Sequence, residues 1–324
     1  MQVKPEVKNN ITAELDGNKY IACKGGIFIP LFFALIVMDD QPSSAYFIEK
    51  KKLDIPYVNL LLFIATLLTT LIAGAIQQGV NLLEDPLSIW KGIPFSFTLL
   101  LILGTHEFGH YLMSRKHHVD VTLPYFIPAP SFIGTFGAVI KMRSPMYDRR
   151  TLLDVGAAGP LAGMIVAVPV LVIGLALSDV VPSTGVQGIR LGSCILFSVL
   201  NWIVHGFMPE NSSLLLHPVA FSGWIGLLVT SLNLIPVGQL DGGHIAYAIF
   251  GSKQGIVAKV FMAVLLLLGL VGWTGWLVWF ALLLFLGTNH PPVVYDWIPL
   301  DKKRKVVGWI TFFVLIITFM PVPF

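Results

Sequence analysis

The stretch Gly104-Thr105-His106-Glu107-Phe108-Gly109-His110 places three ionisable side chains inside an otherwise apolar segment, residues 94–113. On an α-helix, residues four positions apart lie on one face, so the imidazoles of His106 and His110 can bind the same metal ion. Glu107 lies beside them on that helix. The spacing is the His-Glu-x-x-His pattern that is typical of zinc hydrolases.

Ordinary explanations exist for such residues. The pattern alone occurs by chance in soluble proteins, and a single histidine on an apolar helix is usually a hydrogen-bonded core residue. Inside a membrane helix, however, a carboxylate and two imidazoles cost on the order of several kcal/mol, and such residues mark functional sites by default. We therefore expect a metal site at His106 and His110.

The composition indicates an integral membrane protein. The chain has 324 residues, of which 55% are hydrophobic and only 12% are charged, and its mean hydropathy is +0.79. Soluble domains carry about 25% charged residues. The net charge is +3, and the basic residues form short clusters beside apolar runs, as cytosolic loops between membrane helices do. A nucleic-acid partner is not expected, because it requires a continuous basic face.

The two cysteines and the N-terminus narrow the chemistry and the location. Cys23 and Cys194 form neither a Cys-x-x-Cys motif nor a disulfide framework, so a metal site must rest on histidines and carboxylates. The first 54 residues lack the pattern of a secretory signal and that of an Arg/Ser-rich transit peptide. We therefore expect a prokaryotic cytoplasmic membrane.

The apolar runs predict an all-α polytopic membrane protein with six to eight transmembrane helices around the metal site. By the distribution of positive charge, the span that carries the histidines ends at the inner face of the membrane. Residues 191–208 are interpreted as a re-entrant or surface-lying element on the outer side. The predicted spans are residues 55–76, 94–113, 161–177, 218–235, two within 256–286, and 306–320.

A second polar stretch, residues 233–244, reaches the same inner face with the sequence Asn-Leu-Ile-Pro-Val-Gly-Gln-Leu-Asp-Gly-Gly-His. Two imidazoles and one carboxylate would leave the fourth position of zinc open to water, as in a catalytic site. Asp241 is therefore a candidate third ligand. Two alternatives stay open: Asp241 caps a helix that begins near Gly242, or His244 takes the ligand position.

The remaining polar residues near the apolar runs receive structural interpretations. Asp154 is expected to cap the helix predicted at residues 161–177 or to serve as a charge partner. The segment 287–299, which contains His290-Pro291-Pro292, is stiff and is expected to brace the mouth of the site. Four other histidines are interpreted as structural, two of them in a solvated inner collar: His117, His118, His205 and His217.

Residues 134–143 predict a β-strand, because β-branched and aromatic residues are bracketed there by Gly134 and Pro145. Two interpretations stay open. The segment is an ordinary cytosolic loop, or it is an exposed strand that docks an extended substrate beside the metal by β-addition. In the second case Gly137, Ala138 and Val139 bind the substrate.

The two polar motifs together resemble the site-2 protease family of intramembrane zinc metalloproteases. The resemblance rests on HEFGH at 106–110, on NLIP followed by LDGG within 233–243, and on Ala-Gly-Pro at 158–160. It extends over residues 53–250. The chain has no room for a PDZ domain, so it resembles the PDZ-lacking branch, which includes plant chloroplast members. Residues 134–145 resemble the small re-entrant β element that such enzymes place beside zinc.

This resemblance implies that His106, His110 and Asp241 bind one zinc ion and that Glu107 is the general base. It also implies that Asn233 lies near the catalytic water or the substrate backbone. The expected activity is hydrolysis of peptide bonds within or near transmembrane segments of proteins in the lipid bilayer, with the active site toward the cytosol. The chain then divides into a cytosolic extension (1–54), a catalytic membrane core (55–250) and C-terminal transmembrane helices (251–324).

Two other functions remain as alternatives. A non-catalytic membrane adaptor could retain the same fold, although an intact Glu107 argues against it. A metal-ion transporter could use the same ligands, but transporters usually spread their ligands along a path or have duplicated halves. The sequence shows neither pattern.

Overall fold

The computed structural model describes residues 12–15, 18–21, 27–28, 56–183 and 188–324. Most of the predicted cytosolic extension, including residues 29–55, lies outside the described residues. The helices are α1 (Tyr57–Gln77), α2 (Ile93–Lys116), α3 (Arg149–Ala176), α4 (Ile195–His205), α5 (Pro218–Asn233), α6 (Asp241–Phe250), α7 (Gln254–Val271), α8 (Gly275–Leu286) and α9 (Lys302–Thr318). The strands are β1 (Thr12–Leu15), β2 (Asn18–Ile21), β3 (Ile27–Phe28), β4 (Tyr125–Pro128), β5 (Thr135–Lys141), β6 (Asp179–Pro182) and β7 (Ser212–Leu215).

The predicted class, a polytopic helical membrane protein, is confirmed. By length and composition, four stretches in the described part of the chain can cross a membrane: Tyr57–Gln77, Pro86–Lys116, Arg149–Ala176 and Asp241–Val271. The predicted number of six to eight is higher because α5, α8 and α9 have 16, 12 and 17 residues, fewer than the about 20 that a full span needs. Helix α4 has 11 residues and is about 16 Å long, too short for a hydrocarbon core of about 30 Å. This length agrees with the predicted non-spanning element at residues 191–208.

Helix α3 begins earlier than the sequence predicted. Asp148 caps it by accepting a hydrogen bond from the Thr151 N–H at 2.8 Å. The predicted capping role of Asp154 is therefore wrong, because this residue lies inside the helix, where it is a charge partner of Arg304 at 2.7 Å. His117 is not simply part of a solvated collar either, since its Nε2 lies 2.9 Å from Asp154 Oδ2.

Close contacts between small residues hold α3 against its neighbours. Helix α3 packs against α2, α5 and α6. A Cβ atom added to Gly109 of α2 would lie 2.5 Å from the carbonyl oxygen of Ala158, and one added to Gly174 would lie 2.2 Å from the nitrogen of Ala220 in α5. These small residues therefore let α3 approach α2 and α5 closely.

The predicted strand at residues 134–143 is confirmed as β5, which lies in the middle of a three-stranded antiparallel sheet. It pairs with β4 on one side, with Tyr125 opposite Val139, and with β3 on the other, with Phe28 opposite Ile140. The sheet docks on α1 through Thr69, whose hydroxyl donates to the Gly134 carbonyl at 2.6 Å. The expectation of an exposed strand is wrong, because four of the seven residues of β5 are buried.

Candidate metal centre

Three side chains from two helices meet in the interior. His106 and His110 are on α2, and Asp241 is the first residue of α6. The Nε2 atoms of the two histidines are 3.1 Å apart, and Asp241 Oδ2 lies 3.2 Å from that of His106 and 3.3 Å from that of His110. All three residues are at most 4% exposed. In the described part of the chain, these residues are the group that could hold a metal ion.

The spacing of these atoms fits zinc. Zinc holds nitrogen and oxygen ligands at about 2.0–2.1 Å in tetrahedral geometry, so two ligand atoms of one ion lie about 3.3–3.4 Å apart. The three observed distances are within about 0.3 Å of this value. Three protein ligands leave a fourth position for water or substrate. The donor set therefore suits a catalytic zinc ion.

A backbone contact orients one of the histidines. His110 Nδ1 lies 2.8 Å from the carbonyl oxygen of Val155 on α3. A carbonyl oxygen can only accept, so Nδ1 carries the proton and Nε2 keeps its lone pair for the metal. Val155 was not identified from the sequence, because a backbone carbonyl leaves no signal in residue type.

Glycines of α3 make room for the imidazoles. A Cβ atom on Gly159 would lie 2.0 Å from His110 Nε2, and one on Gly163 would lie 3.3 Å from His106 Nδ1. The two glycines are four residues apart, like the two histidines that they face. This matched spacing of small residues and ligands is the sequence signal that could have found them. Helix α3 is thus the floor of the site.

The start of α6 brings Asp241 to the histidines. Leu240 is the N-cap residue, so Asp241 lies in the first turn and its side chain faces His106 and His110 rather than serving as the cap. Gly242 and Gly243 permit this placement, because a Cβ on either would lie within 2.3 Å of a backbone oxygen of the preceding loop. His244 does not join the group; its Nδ1 contacts His290 instead.

Glu107 lies beside the three grouped residues and is also buried. Its carboxylate accepts a hydrogen bond from the backbone N–H of Ile140 in β5. Its Oε2 atom has no hydrogen-bond partner among the described residues. The Oε2 atom therefore remains available for a proton, in a carboxylate that lies beside Ile140 of β5.

Asn233, the last residue of α5, is buried next to the ligand set. Its Nδ2 atom lies 3.4 Å from His106 Nε2, and its Oδ1 atom has no partner among the described residues. The other candidate substrate-binding residues, Gly137, Ala138 and Val139, precede Ile140 in β5. The structure therefore brings all the candidate site residues to one region.

The model of peptidase family M50 matches residues 94–271, more than half of the chain and the whole ligand set. The chain belongs to peptidase family M50. This is the site-2 protease family that the motifs predicted. The matched segment contains His106, His110 and Asp241, which are grouped so that they could hold a metal ion.

Among the similar curated proteins, the probable zinc metalloprotease EGY2, chloroplastic, of Arabidopsis thaliana is 31% identical over 260 residues, 77% of this chain and 46% of the relative. The corresponding EGY1 protein of the same plant is 32% identical over 244 residues, 71% of this chain and 43% of the relative. The probable zinc metalloprotease EGY3, chloroplastic, of Oryza sativa subsp. indica is 25% identical over 341 residues, 94% of this chain and 56% of the relative.

The chain spans about half the length of the curated relatives it matches. The chloroplast named for them does not support the predicted prokaryotic membrane, so the membrane itself is the location established for this chain. No solved structure matches the chain significantly.

Proposed function

We propose that this protein is an intramembrane zinc metalloprotease that hydrolyses peptide bonds within or near transmembrane segments of other proteins. The observation that carries the proposal is the grouping of His106, His110 and Asp241 around one point, with Glu107 buried beside them. Membership in M50 supports the same reaction class. The three grouped residues would hold one zinc ion.

Each residue has a defined part in the reaction. When bound, zinc polarises the scissile carbonyl and lowers the pKa of water from about 15.7 to near 7. Glu107 takes the proton of the attacking water on the oxygen that has no partner and passes it to the leaving nitrogen. Val155 keeps the proton of His110 on Nδ1 throughout, so that Nε2 remains a ligand. Asn233 contacts the substrate backbone or the water through its unpartnered oxygen or its amide N–H.

Strand β5 is the proposed dock for an extended substrate. Successive residues of a strand turn their backbone groups to opposite sides. The Lys141 N–H donates to the Thr122 hydroxyl, and the Lys141 carbonyl accepts from the Thr122 N–H, both on the side of β5 that faces β4. The Ile140 N–H points to the opposite side of β5, toward Glu107. The backbone groups of Ala138 therefore face the side of Glu107, between the proposed contacts Gly137 and Val139. Strand β3 pairs with Ile140 and Lys141 on this same side, and Ala138 is buried, so the substrate must add beside β3 and displace what covers Ala138.

The substrate class follows from this geometry. A transmembrane helix occupies its carbonyl groups with internal hydrogen bonds, so it must unwind locally before it can pair with β5. Substrates with helix-weakening residues near the cut are therefore expected. We place the metal site toward the cytosolic side of the membrane, because basic clusters flank the ends of the helices nearest to it.

The decisive variant is Glu107→Gln, which removes the base and keeps the size of the side chain. We expect it to retain one zinc per chain while fragments of membrane-protein substrates disappear. Mass spectrometry of membrane-protein fragments, in cells with the native chain and with the variant, measures the loss and identifies the substrates. Glu84→Gln is the matched control, because Glu84 is exposed in the loop after α1 and should leave cleavage unchanged.

Other outcomes favour other functions. Equal fragments with the native chain and with Glu107→Gln would contradict the protease. Zinc binding without any fragment that depends on the native chain would favour a non-catalytic adaptor. Transport of zinc into vesicles that contain the purified protein would favour a transporter.

A further inference from the structure

The segment that joins α8 to α9 lies against the loop that leads to Asp241. The Gly238 N–H donates to the Thr288 carbonyl at 2.9 Å. Gln254, at the start of α7, forms hydrogen bonds with both segments. Its side-chain amide donates to the carbonyls of Pro236 at 3.4 Å and Thr288 at 3.3 Å. Its side-chain oxygen accepts from the His290 N–H at 3.0 Å. The loop before α6 is thus fastened to residues 288–290.

A histidine pair makes the link to α6 itself. His244 lies one turn after Asp241 on that helix, and its Nδ1 is 2.7 Å from His290 Nε2. The ring of His290 also lies over Tyr247, with ring centres 4.7 Å apart. Residues three apart are neighbours on the surface of a helix, so the contact between His244 and His290 restrains the helical turn that carries Asp241.

The direction of the hydrogen bonds follows from the partners. His290 Nδ1 lies 2.5 Å from the carbonyl oxygen of Pro291, which can only accept, so this nitrogen carries the proton. His290 Nε2 is then the acceptor, and His244 Nδ1 donates to it. Burial lowers the pKa of His290 to about 4, so the ring is neutral near pH 7 and the arrangement is stable there.

We propose that His290 is a positioning residue, which fixes Asp241 for metal binding by holding His244 and the 236–240 loop. The inference rests on the proposed function, because it assigns the linker a role toward the third zinc ligand. Residues 236–240 form irregular backbone next to membrane helices, where an unpaired polar group costs several kcal/mol. The segment between α8 and α9 accepts a hydrogen bond from this backbone, at Gly238. Its His290 side chain contacts His244 on α6, the helix that begins with Asp241.

The test measures zinc affinity of the full-length protein in detergent, by competition with a fluorescent chelator. His290→Leu removes the acceptor for His244 and should weaken zinc binding about 10- to 100-fold, the usual cost of losing a residue that orients a metal ligand. His290→Gln keeps an acceptor near the Nε2 position and should bind zinc almost as the native chain does. His205→Leu is the matched control, because His205 contacts Asn201 on α4.

A double-mutant cycle separates positioning from general destabilisation. In the Asp241→Asn background, His290→Leu should have little further effect, because the ligand that it positions is already impaired. Hydrogen exchange of the metal-free protein gives a second readout. His290→Leu should increase exchange in residues 236–240 and not in α1, and His290→Gln should not.

The inference is overturned if His290→Leu binds zinc as the native chain does, or if its effect is equally large in the Asp241→Asn background. It is also overturned if hydrogen exchange of residues 236–240 stays at the native level. If the native chain shows no zinc binding that depends on Asp241, the proposed metal site fails. Exchange of residues 236–240 then still decides whether His290 holds the loop.

Discussion

Gly159 and His110 occupy adjoining space, since a Cβ atom at position 159 would lie 2.0 Å from His110 Nε2. The contact is between helix α3 and the nitrogen that we propose as a metal ligand. Gly159→Ala must therefore push the imidazole or the helix aside. We expect zinc affinity to fall about 10- to 100-fold, and the overpacking to cost about 1–3 kcal/mol of stability. Chelator competition measures the first effect and thermal unfolding measures the second.

The same substitution at two other glycines should have smaller effects on zinc affinity. Gly163→Ala should have a smaller effect, because its Cβ would lie 3.3 Å from the ring of His106. Gly104→Ala, on α2, should bind zinc normally, since its Cβ would meet only the ring of Phe126 at 3.7 Å. Native zinc affinity in Gly159→Ala would show that the site tolerates a methyl group and would contradict the assigned packing.

The ion pair between Asp154 and Arg304 predicts a stability effect remote from the metal. Arg304 donates from Nε to both oxygens of Asp154, at 2.9 and 3.0 Å, and so ties α9 to α3. Arg304→Ala should lower the stability by about 1–3 kcal/mol, because hydrogen bonds to a charged group are lost. Arg304→Lys should recover only part of it, because an ammonium cannot form the two-pronged contact. Thermal unfolding in detergent measures both.

Lys303→Ala is the control for this pair, because Lys303 is exposed on the same turn of α9. It should unfold at the native temperature. If Arg304→Ala and Lys303→Ala unfold together at the native temperature, the ion pair contributes nothing measurable, as many surface pairs do.

The sequence predicted the elements that have a local signal. The i, i+4 spacing of His106 and His110 is such a signal, and it located the site. The start of α3 was predicted too late in the chain. Gly156, Gly159 and Gly163 have a low helix propensity, but in the structure they lie inside the helix, where they allow close packing against α2 and α6. The contact of Ile140 with Glu107 could not be predicted from the sequence, because it involves a backbone group, which every residue type carries.

Acidification should weaken the docking of the linker. Burial lowers the pKa of His290 to about 4 from the ordinary value of 6.5, so the unfolded chain binds more protons than the folded chain between these values. Stability is therefore complete above pH 6.5 and falls as the pH is lowered toward 4. The groups that face His290 are His244 and Tyr247, both on α6. Thermal unfolding of the metal-free protein across this range measures the slope.

His290→Gln supplies the control for this pH dependence. The amide does not titrate, so the variant should lose less stability than the native chain between pH 6.5 and 4. Parallel curves for the two proteins would contradict the assignment, because the remaining titrating groups are common to both.

Pairing of the substrate with β5 predicts which substrate atoms matter. The backbone of Ala138 is directed to the side of Glu107, so a docked strand must exchange hydrogen bonds with it. Replacing one substrate amide near the cut by an ester removes an N–H donor and should raise KM about 2- to 10-fold, the value of one hydrogen bond. The effect should recur at every second position, because only alternate residues face β5. A transmembrane peptide that the protein cleaves, made with single esters at successive positions, gives this profile; an ester far from the cut is the control. A flat profile would show that the substrate binds without adding a strand to β5.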